Sequence, residues 1–158
     1  MGLTSTESVA VEPTKDNSYQ LMLLLRTAYF SLRRKCNSVC QDSNCNGDQF
    51  VILSTLYGQS QRVTQQFLSD ETGYDPVTTG TMLKTMQRHG LIDREPHPED
   101  GRAKLVKITT AGKRTFRKLW RDSDPLRKAF IKSMSQNRQK NAVKILNDIT
   151  RAMNSLEV

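Results

Sequence analysis

The sequence has few aromatic residues, few cysteines and no long apolar run. Aromatic side chains make up 6% of the 158 residues, although apolar residues reach 36%. Leu, Ile, Val and Met recur in periodic segments, which excludes wholesale disorder and allows one domain, or one domain with long arms. Three cysteines, an odd number, fit a reducing compartment better than a disulfide framework.

Membrane-spanning and secretory patterns are also missing. The longest apolar run, residues 21–25, has five residues, whereas a helix needs about 20 to cross a bilayer. The first 20 residues lack the basic start and the apolar stretch of a secretory signal. We therefore expect a soluble, cytoplasmic protein with no membrane partner.

Motifs of catalysis are absent as well. The sequence contains no Gly-x-Ser-x-Gly, no His-Glu-x-x-His and no phosphate-binding glycine loop. Its two histidines, His89 and His97, have no matching Ser or Cys nucleophile motif. We expect neither an enzyme nor a bound cofactor.

The net charge of +8 is concentrated at one end of the chain. Residues 1–48 carry five basic and five acidic side chains, and residues 49–110 carry seven of each. Residues 111–158 carry twelve basic and four acidic side chains, which is the whole excess. A basic protein can bind phosphate, an anionic membrane or an acidic partner, and bulk charge does not choose among them.

The N-terminal third is predicted to form a tail and two helices. Residues 1–16 are small and polar, which is typical of a flexible tail. Apolar residues at steps of three and four predict a helix over residues 17–40. Asn46 is placed to cap a second helix over about 48–57.

Two short helices joined by a tight turn are predicted next. Thr64 can cap the first helix, and Gly73 ends it. Asp75 followed by Pro76 predicts the second start, because proline loses no amide bond at the first helical position. Gly90 ends this second helix. The pair is typical of a helix-turn-helix.

Two predicted strands follow. Residues 91–94 and residues 104–108 are separated by the turn-rich stretch PHPEDG. A β-hairpin directly after a helix-turn-helix is the order of a winged helix. The remaining chain predicts a long helix over about 112–134, broken near Pro125, and a last helix from Ser135 with a narrow apolar stripe.

The middle of the chain carries a family resemblance. The matching stretches are QFVILSTL before the helix-turn-helix, VTQQFLSDETGYDPVTTGTMLKTM across it, and RHGLIDREPHPEDGRAKLVKITTAG through the wing. Each stretch is weakly specific alone, but their order and spacing are strong together. Over residues 49–112 the chain resembles the MarR family of bacterial and archaeal transcription regulators, while the flanking helices match only in length and position.

This resemblance implies a mainly α fold, with a winged helix-turn-helix, a small β-hairpin wing and long N- and C-terminal dimerisation helices. The chain would divide into a tail (1–16), an N-terminal dimerisation helix (17–40), a winged-helix DNA-binding domain (47–112) and C-terminal dimerisation helices (113–156). A homodimer would regulate transcription from a near-palindromic operator in double-stranded DNA, usually as a repressor. Release by a small-molecule effector or an oxidant is common in the family.

The helix over residues 76–88 is predicted to read the major groove. One of its faces is apolar and should pack on the preceding helix. Its threonine hydroxyls could bond bases, Lys84 could reach guanine or phosphate, and Arg88 is placed for a phosphate. The alternative is a merely solvated face. The candidates on this helix are Pro76, Val77, Thr78, Thr81, Lys84, Thr85 and Arg88.

Gly80 departs from the family pattern. Family members usually carry a larger residue at this mid-helix position, often Thr. Glycine there costs roughly 0.5–1 kcal/mol relative to Ala. Either Gly80 permits a close approach of the backbone to DNA, or the site is less typical of the family.

Arg102, at the predicted wing tip, is the strongest single candidate. Arginine there can enter the minor groove, whose negative potential is enhanced where the groove is narrow. Asp100 can hold the Arg102 side chain by a charge-assisted contact, and the family uses an Asp-x-Arg pair in this way. Lys104 is a secondary candidate on the hairpin flank. The alternative is a local salt bridge that only stiffens the turn.

The cysteines allow three interpretations. Cys36 and Cys40 share a helical face if the helix lasts that long, and Cys45 lies in the next loop. They could be reduced structural residues, a redox switch or a metal site, although the short Cys-x2-Cys spacing of structural zinc sites is missing. The family's peroxide sensors carry a reactive cysteine early in the first helix. Because this sequence reads LMLLL there, that mechanism does not transfer.

A second functional hypothesis is a winged-helix module that binds an acidic protein partner. The zero net charge of residues 49–110 and the unusual Gly80 suggest it. A DNA reader differs from such a module by a steep loss of affinity with salt and by a preference for one duplex sequence.

Overall fold

The computed structural model describes residues 16–156, which are mainly helical with one small antiparallel sheet. The predicted fold class is confirmed. The predicted tail, residues 1–16, lies outside the described residues except for Asp16. The elements in chain order are α1 (Asn17–Val39), α2 (Gly47–Tyr57), β1 (Val63–Thr64), α3 (Gln65–Thr72), α4 (Pro76–Arg88), β2 (Ile92–Pro96), β3 (Lys104–Ile108), α5 (Thr110–Asp122), α6 (Asp124–Lys132) and α7 (Gln136–Asn154).

Side-chain caps fix where most of these helices begin. At the start of α1, the Asp16 carboxylate accepts a hydrogen bond from the Ser18 N–H at 2.8 Å. At α2, Asn46 and Gln49 form a capping box, in which each side chain bonds to the other residue's N–H. Ser135 precedes α7, but its side chain makes no capping bond.

The helix-turn-helix begins and ends where the sequence predicts. Thr64 caps α3 by accepting a hydrogen bond from the Phe67 N–H at 3.1 Å. Gly73 ends α3 in the left-handed conformation, with a φ of 74°, which glycine adopts without steric cost. The Asp75 side chain then accepts a hydrogen bond from the Thr78 N–H at 2.9 Å, and α4 begins at Pro76.

The wing consists of β2 and β3, with a third strand added. Arg94 of β2 lies opposite Val106 of β3. β2 runs from Ile92 to Pro96, further along the chain than the predicted residues 91–94. The unpredicted strand β1 pairs with the other side of β3, giving the order β1-β3-β2. Two residues are too few to show a period of two, so only their distant partners define β1 as a strand.

The core lies between α2, the helix-turn-helix, the sheet and α5. Gly112, near the start of α5, packs so closely on the base of the wing that a Cβ there would collide with the Leu91 carbonyl oxygen. The start of α5 is therefore pinned to the wing. The largest fully buried side chains include Leu53, Leu68, Leu83, Val106 and Leu119.

Helices α1, α6 and α7, which we call the arms, extend from this core and contain no buried residue, although Val39 at the end of α1 packs against the core. α5 and α6 are separated at Ser123, just before Pro125, which confirms the predicted break. Every helix of residues 16–156 is too short or too polar to span a bilayer. Exposed apolar side chains on the three helices include Leu21, Leu24, Phe130, Ile145 and Leu146.

Candidate nucleic-acid interface

α4 packs one face on the core and leaves the other to solvent. Thr79, Leu83 and Met86 are fully buried, and Met82 packs against the core. The Ser69 hydroxyl donates a hydrogen bond to the Thr79 hydroxyl at 3.0 Å, which fixes α4 against α3. The predicted amphipathic pattern of this helix is present.

The outward face of α4 contains every candidate predicted on this helix. Thr85 is half-buried and the others are exposed. The Thr81 hydroxyl donates to the Val77 carbonyl at 3.1 Å, so its lone pairs and methyl group are what remain for a base. Arg88 donates to the Thr85 hydroxyl at 3.1 Å, which places the Arg88 guanidinium along the helix.

The first turn of α4 has a negative charge of its own. Hydrogen bonds from the Thr78 hydroxyl and N–H hold the pKa of Asp75 below its usual value. A helix N-terminus otherwise attracts phosphate through its free N–H groups. Because the Asp75 carboxylate takes the Thr78 N–H, a phosphate at this end of α4 has to use a different donor.

The wing tip presents Arg102 to solvent. The Asp100 carboxylate accepts a hydrogen bond from the Arg102 backbone N–H at 2.9 Å through Oδ1, and the expected contact with the Arg102 guanidinium stays a prediction. An Asp side chain readily reaches the N–H two residues further on, as in an Asx turn. The Asp100 carbonyl also accepts from the Ala103 N–H at 3.0 Å. Asp100 therefore shapes the turn that carries Arg102.

A cleft of about 460 Å³ separates the wing from the start of α3. Arg94, Arg102 and Lys104 line its wing side, and Gln65 lies on its α3 side. Asp100 borders it as well, so the three wing candidates share one cleft. Three cationic side chains on one wall make the cleft favourable for phosphate.

Gln65 is a residue of this region that sequence reasoning missed. Its side-chain oxygen accepts a hydrogen bond from Arg94 Nη2 at 3.2 Å, and its amide nitrogen donates to the Pro76 carbonyl at 3.0 Å. Gln65 thus contacts both the wing and α4. No motif marks a glutamine as a bridge, and its only signal is its position directly after the capping Thr64.

A second unpredicted network ties the helix-turn-helix to α1. The Tyr74 hydroxyl and the Arg33 guanidinium both donate to the Asp48 carboxylate. The bond from Arg33 is the main reason that the pKa of Asp48 lies below its usual value. Burial, followed by the bond to Asp48, raises the pKa of Tyr74.

The comparisons with known proteins agree with this geometry. The sequence model of the MarR family matches residues 46–104. The chain is therefore similar to the MarR family over this segment. The match covers α2, the helix-turn-helix and the wing up to the first residue of β3.

Two curated relatives in Bacillus subtilis carry names that describe them as uncharacterised HTH-type transcriptional regulators. YdgJ is 22% identical over 105 residues, which cover 66% of this chain and 64% of YdgJ. YdcH is 26% identical over 92 residues, which cover 56% of this chain and 63% of YdcH. The chain therefore spans less than two thirds of the length of either relative.

Solved structures share the fold at low identity. The MepR–DNA complex of S. aureus is 19% identical with a TM-score of 0.76, covering 84% of this chain and 97% of that chain. The PcaV regulator of Streptomyces coelicolor, in complex with its natural ligand, is 21% identical with a TM-score of 0.73. That match covers 91% of this chain and 98% of PcaV.

The three cysteines lie at the end of α1 and in the loop before α2, and all are free thiols. Cys40 and Cys45 are 3% and 4% exposed. Burial raises the pKa of Cys40 to about 11 and that of Cys45 to about 12. Cys36 is half-buried, and burial raises its pKa too. Residues 16–156 contain no group of three or more His, Cys, Asp or Glu side chains that could hold a metal ion.

An apolar cavity lies where the arms α1 and α6 meet α2 and α5. Its volume is about 280 Å³, and its walls come from α1, α2, α5 and α6. Arg127 reaches the wall with its guanidinium carbon 3.7 Å from the centre of the Trp120 ring. The other lining residues include Leu32, Cys36, Phe50 and Phe130.

Proposed function

We propose that this protein is a transcription regulator that binds double-stranded DNA, with α4 in the major groove and Arg102 in the adjoining minor groove. The observation that carries the proposal is the outward face of α4. That face is polar and held in place by a buried core face. A fixed helix of this kind can present side chains to base edges. The match of residues 46–104 to the MarR family model and the fold shared with the MepR–DNA complex support the same role. The role implies a cytoplasmic protein.

The DNA-binding form would be a homodimer. α1, α6 and α7 expose apolar side chains along their length, and apolar patches of this kind favour association. A two-fold dimer built from residues 17–40 and 113–156 would carry two copies of α4. It would therefore bind two half-sites about one helical turn apart, which is a near-palindrome.

Repression with release by a small molecule is the form of regulation that we propose. A dimer seated on an operator excludes other proteins from that DNA, and the PcaV structure holds a natural ligand in the same fold. In this chain the apolar cavity at the arms would take an effector with a large apolar body, and Arg127 would face an anionic group. Because Cys40 and Cys45 are buried with raised pKa values, an effector molecule fits better than an oxidant.

Selection from a random-duplex pool tests the DNA-binding proposal. The full-length protein should enrich a near-palindromic sequence. It should then bind that sequence about 1,000-fold more tightly than random duplex in an anisotropy titration. Affinity should fall steeply between about 50 and 200 mM salt, because bound phosphates release counterions. Enrichment of no sequence would contradict the proposal.

The alternative, binding to an acidic protein, has one specific observation in its favour. The exposed basic side chains are concentrated on α5–α7, outside the winged helix. Some of them are already used, since Lys118 pairs with Asp122 at 2.8 Å and Arg117 donates to the Tyr57 hydroxyl at 3.1 Å. The alternative gains support only if duplex binding is weak and shows no sequence preference.

A further inference from the structure

Within residues 16–156, Gln65 is the side chain that bonds to both parts of the proposed DNA-reading surface. Its oxygen accepts a hydrogen bond from Arg94 on the wing strand β2 at 3.2 Å. Its amide nitrogen donates to the carbonyl of Pro76, the first residue of α4, at 3.0 Å. The half-buried amide therefore spans the gap between wing and recognition helix, with a separate group engaged on each side.

Gly80 provides the space that this bridge needs. A Cβ at position 80 would lie 3.1 Å from the amide nitrogen of Gln65, a tighter contact than side chains normally make. In helix geometry the Pro76 carbonyl also accepts from the N–H of residue 80, and its second lone pair is free for Gln65. The mid-helix glycine is thus explained by a neighbouring side chain within the protein, without an approach by DNA.

Apart from its bond to Gln65, the Arg94 guanidinium has few contacts that orient it. Its Nε atom is buried and has no hydrogen-bond partner within residues 16–156. Its Nη2 group bonds to Gln65, and its backbone belongs to the strand that enters the wing tip. Removing the Gln65 side chain would leave the guanidinium without this contact and would remove one link between the wing and α4.

We propose that Gln65 is a positioning residue for sequence recognition. It sets the spacing between the wing and α4, and Gly80 favours this arrangement because a Cβ at position 80 would push the Gln65 amide from its place. The inference rests on the proposed function, since it concerns how two DNA-reading elements are held together. A displaced wing changes where Arg102 enters the minor groove relative to the bases read by α4. The effect should therefore fall on discrimination between sequences more than on binding to DNA in general.

Four full-length variants test this role: Gln65→Ala, Gly80→Ala, the double variant, and Gln59→Ala as a control at an exposed loop glutamine. The probes are the duplex enriched by the wild type and a scrambled duplex, both titrated at one salt concentration. Gln65→Ala and Gly80→Ala should each lower the ratio of the two affinities about fivefold, with affinity for the scrambled duplex nearly unchanged. Gln59→Ala should match the wild type.

The double variant separates a shared role from two independent defects. If Gly80→Ala acts by displacing Gln65, the double variant loses no more discrimination than the worse single variant. Independent effects would instead multiply to about 25-fold. Thermal unfolding provides a second readout, because Ala favours a helix over Gly, so Gly80→Ala should keep or raise the Tm while it loses discrimination.

The outcomes distinguish the inference from the function on which it depends. If the wild type enriches no duplex, both the proposed function and the role of Gln65 are overturned. If the wild type discriminates and the two single variants discriminate equally well, the role of Gln65 alone is overturned. Multiplying losses in the double variant, or equal losses on both duplexes, would also overturn it.

Discussion

The hydroxyl of Tyr74 lies 2.9 Å from Oδ1 of Asp48 and donates a hydrogen bond to it. The same carboxylate receives Arg33 from α1, with Nη2 at 2.7 Å from Oδ2. One carboxylate therefore joins α1, the start of α2 and the turn before α4. A change in α1 that moves Arg33 therefore acts through Asp48 on Tyr74, which precedes the first residue of α4 by two positions.

Asp48→Ala should destabilise the protein by about 1–3 kcal/mol at pH 7, because the half-buried Tyr74 hydroxyl and the Arg33 guanidinium lose their acceptor. The pKa of Asp48 is lowered in the folded state. Its contribution is therefore complete above the unfolded pKa of about 3.9 and is lost as the pH falls through the folded value. Urea unfolding at pH 7 and at pH 3 measures this difference.

The exposed Asp42 offers a matched control for that measurement. Asp42→Ala should change the free energy of unfolding by less than about 0.5 kcal/mol at either pH. Equal effects of Asp48→Ala and Asp42→Ala at pH 7 would show that the network with Arg33 and Tyr74 adds no stability.

Arg102→Ala should leave the fold intact and weaken binding to the selected duplex about tenfold, because an exposed guanidinium at the wing tip is lost from the minor groove. Anisotropy titration at fixed salt measures the loss, and circular dichroism checks the fold. Arg138→Ala, at an exposed arginine of α7, serves as the control. Equal losses in the two variants would show that Arg102 acts only through its positive charge and makes no specific contact in the minor groove.

Leu146→Glu should convert the proposed dimer to monomer. Leu146 is 49% exposed and lies on the apolar stripe of α7, where a buried carboxylate in an interface would be strongly unfavourable. Light scattering at micromolar concentration gives the mass. Asn147→Glu adds the same charge off the stripe and should stay dimeric. A wild-type protein that is already monomeric at this concentration would contradict the dimer proposal.

The cysteines should react slowly and without effect on DNA binding. Burial raises the pKa of Cys40 to about 11 and of Cys45 to about 12, and the thiolate is the reactive form. Labelling in the native state should therefore be slow at pH 7 and should accelerate as the pH rises towards these values. Treatment with peroxide should leave both the labelling and the affinity for the selected duplex unchanged. Formation of a disulfide that alters affinity would instead support a redox switch.

Local signals were sufficient for the helix-turn-helix. Thr64, Gly73 and the pair Asp75-Pro76 each act on the backbone within a few residues, so their consequences can be read from the sequence. The faces of α4 follow from the helical period in the same way. The DNA-facing candidates on α4 and Arg102 stay predictions, because contact with DNA is not part of the structure.

Contacts between residues that are far apart along the chain could not be predicted from the sequence. β1 exists as a strand only because β3 lies beside it, and Gln65 bridges Arg94 and Pro76 across 29 and 11 positions of the chain. The bond from the Arg102 backbone N–H to Asp100 was missed for a different reason. The pattern Asp-x-Arg offers both a guanidinium and a backbone N–H to that carboxylate and does not say which of the two it binds.

The close packing of Gly112 on the Leu91 carbonyl determines where the proposed dimer can bend. Thr109 reinforces this junction, since its hydroxyl donates to the Gly90 carbonyl at 2.7 Å and its N–H donates to the Leu91 carbonyl at 3.1 Å. The winged helix and α5 must therefore rotate together as one rigid body. In the proposed dimer, the distance between the two copies of α4 would then change by bending at Ser123, between α5 and α6.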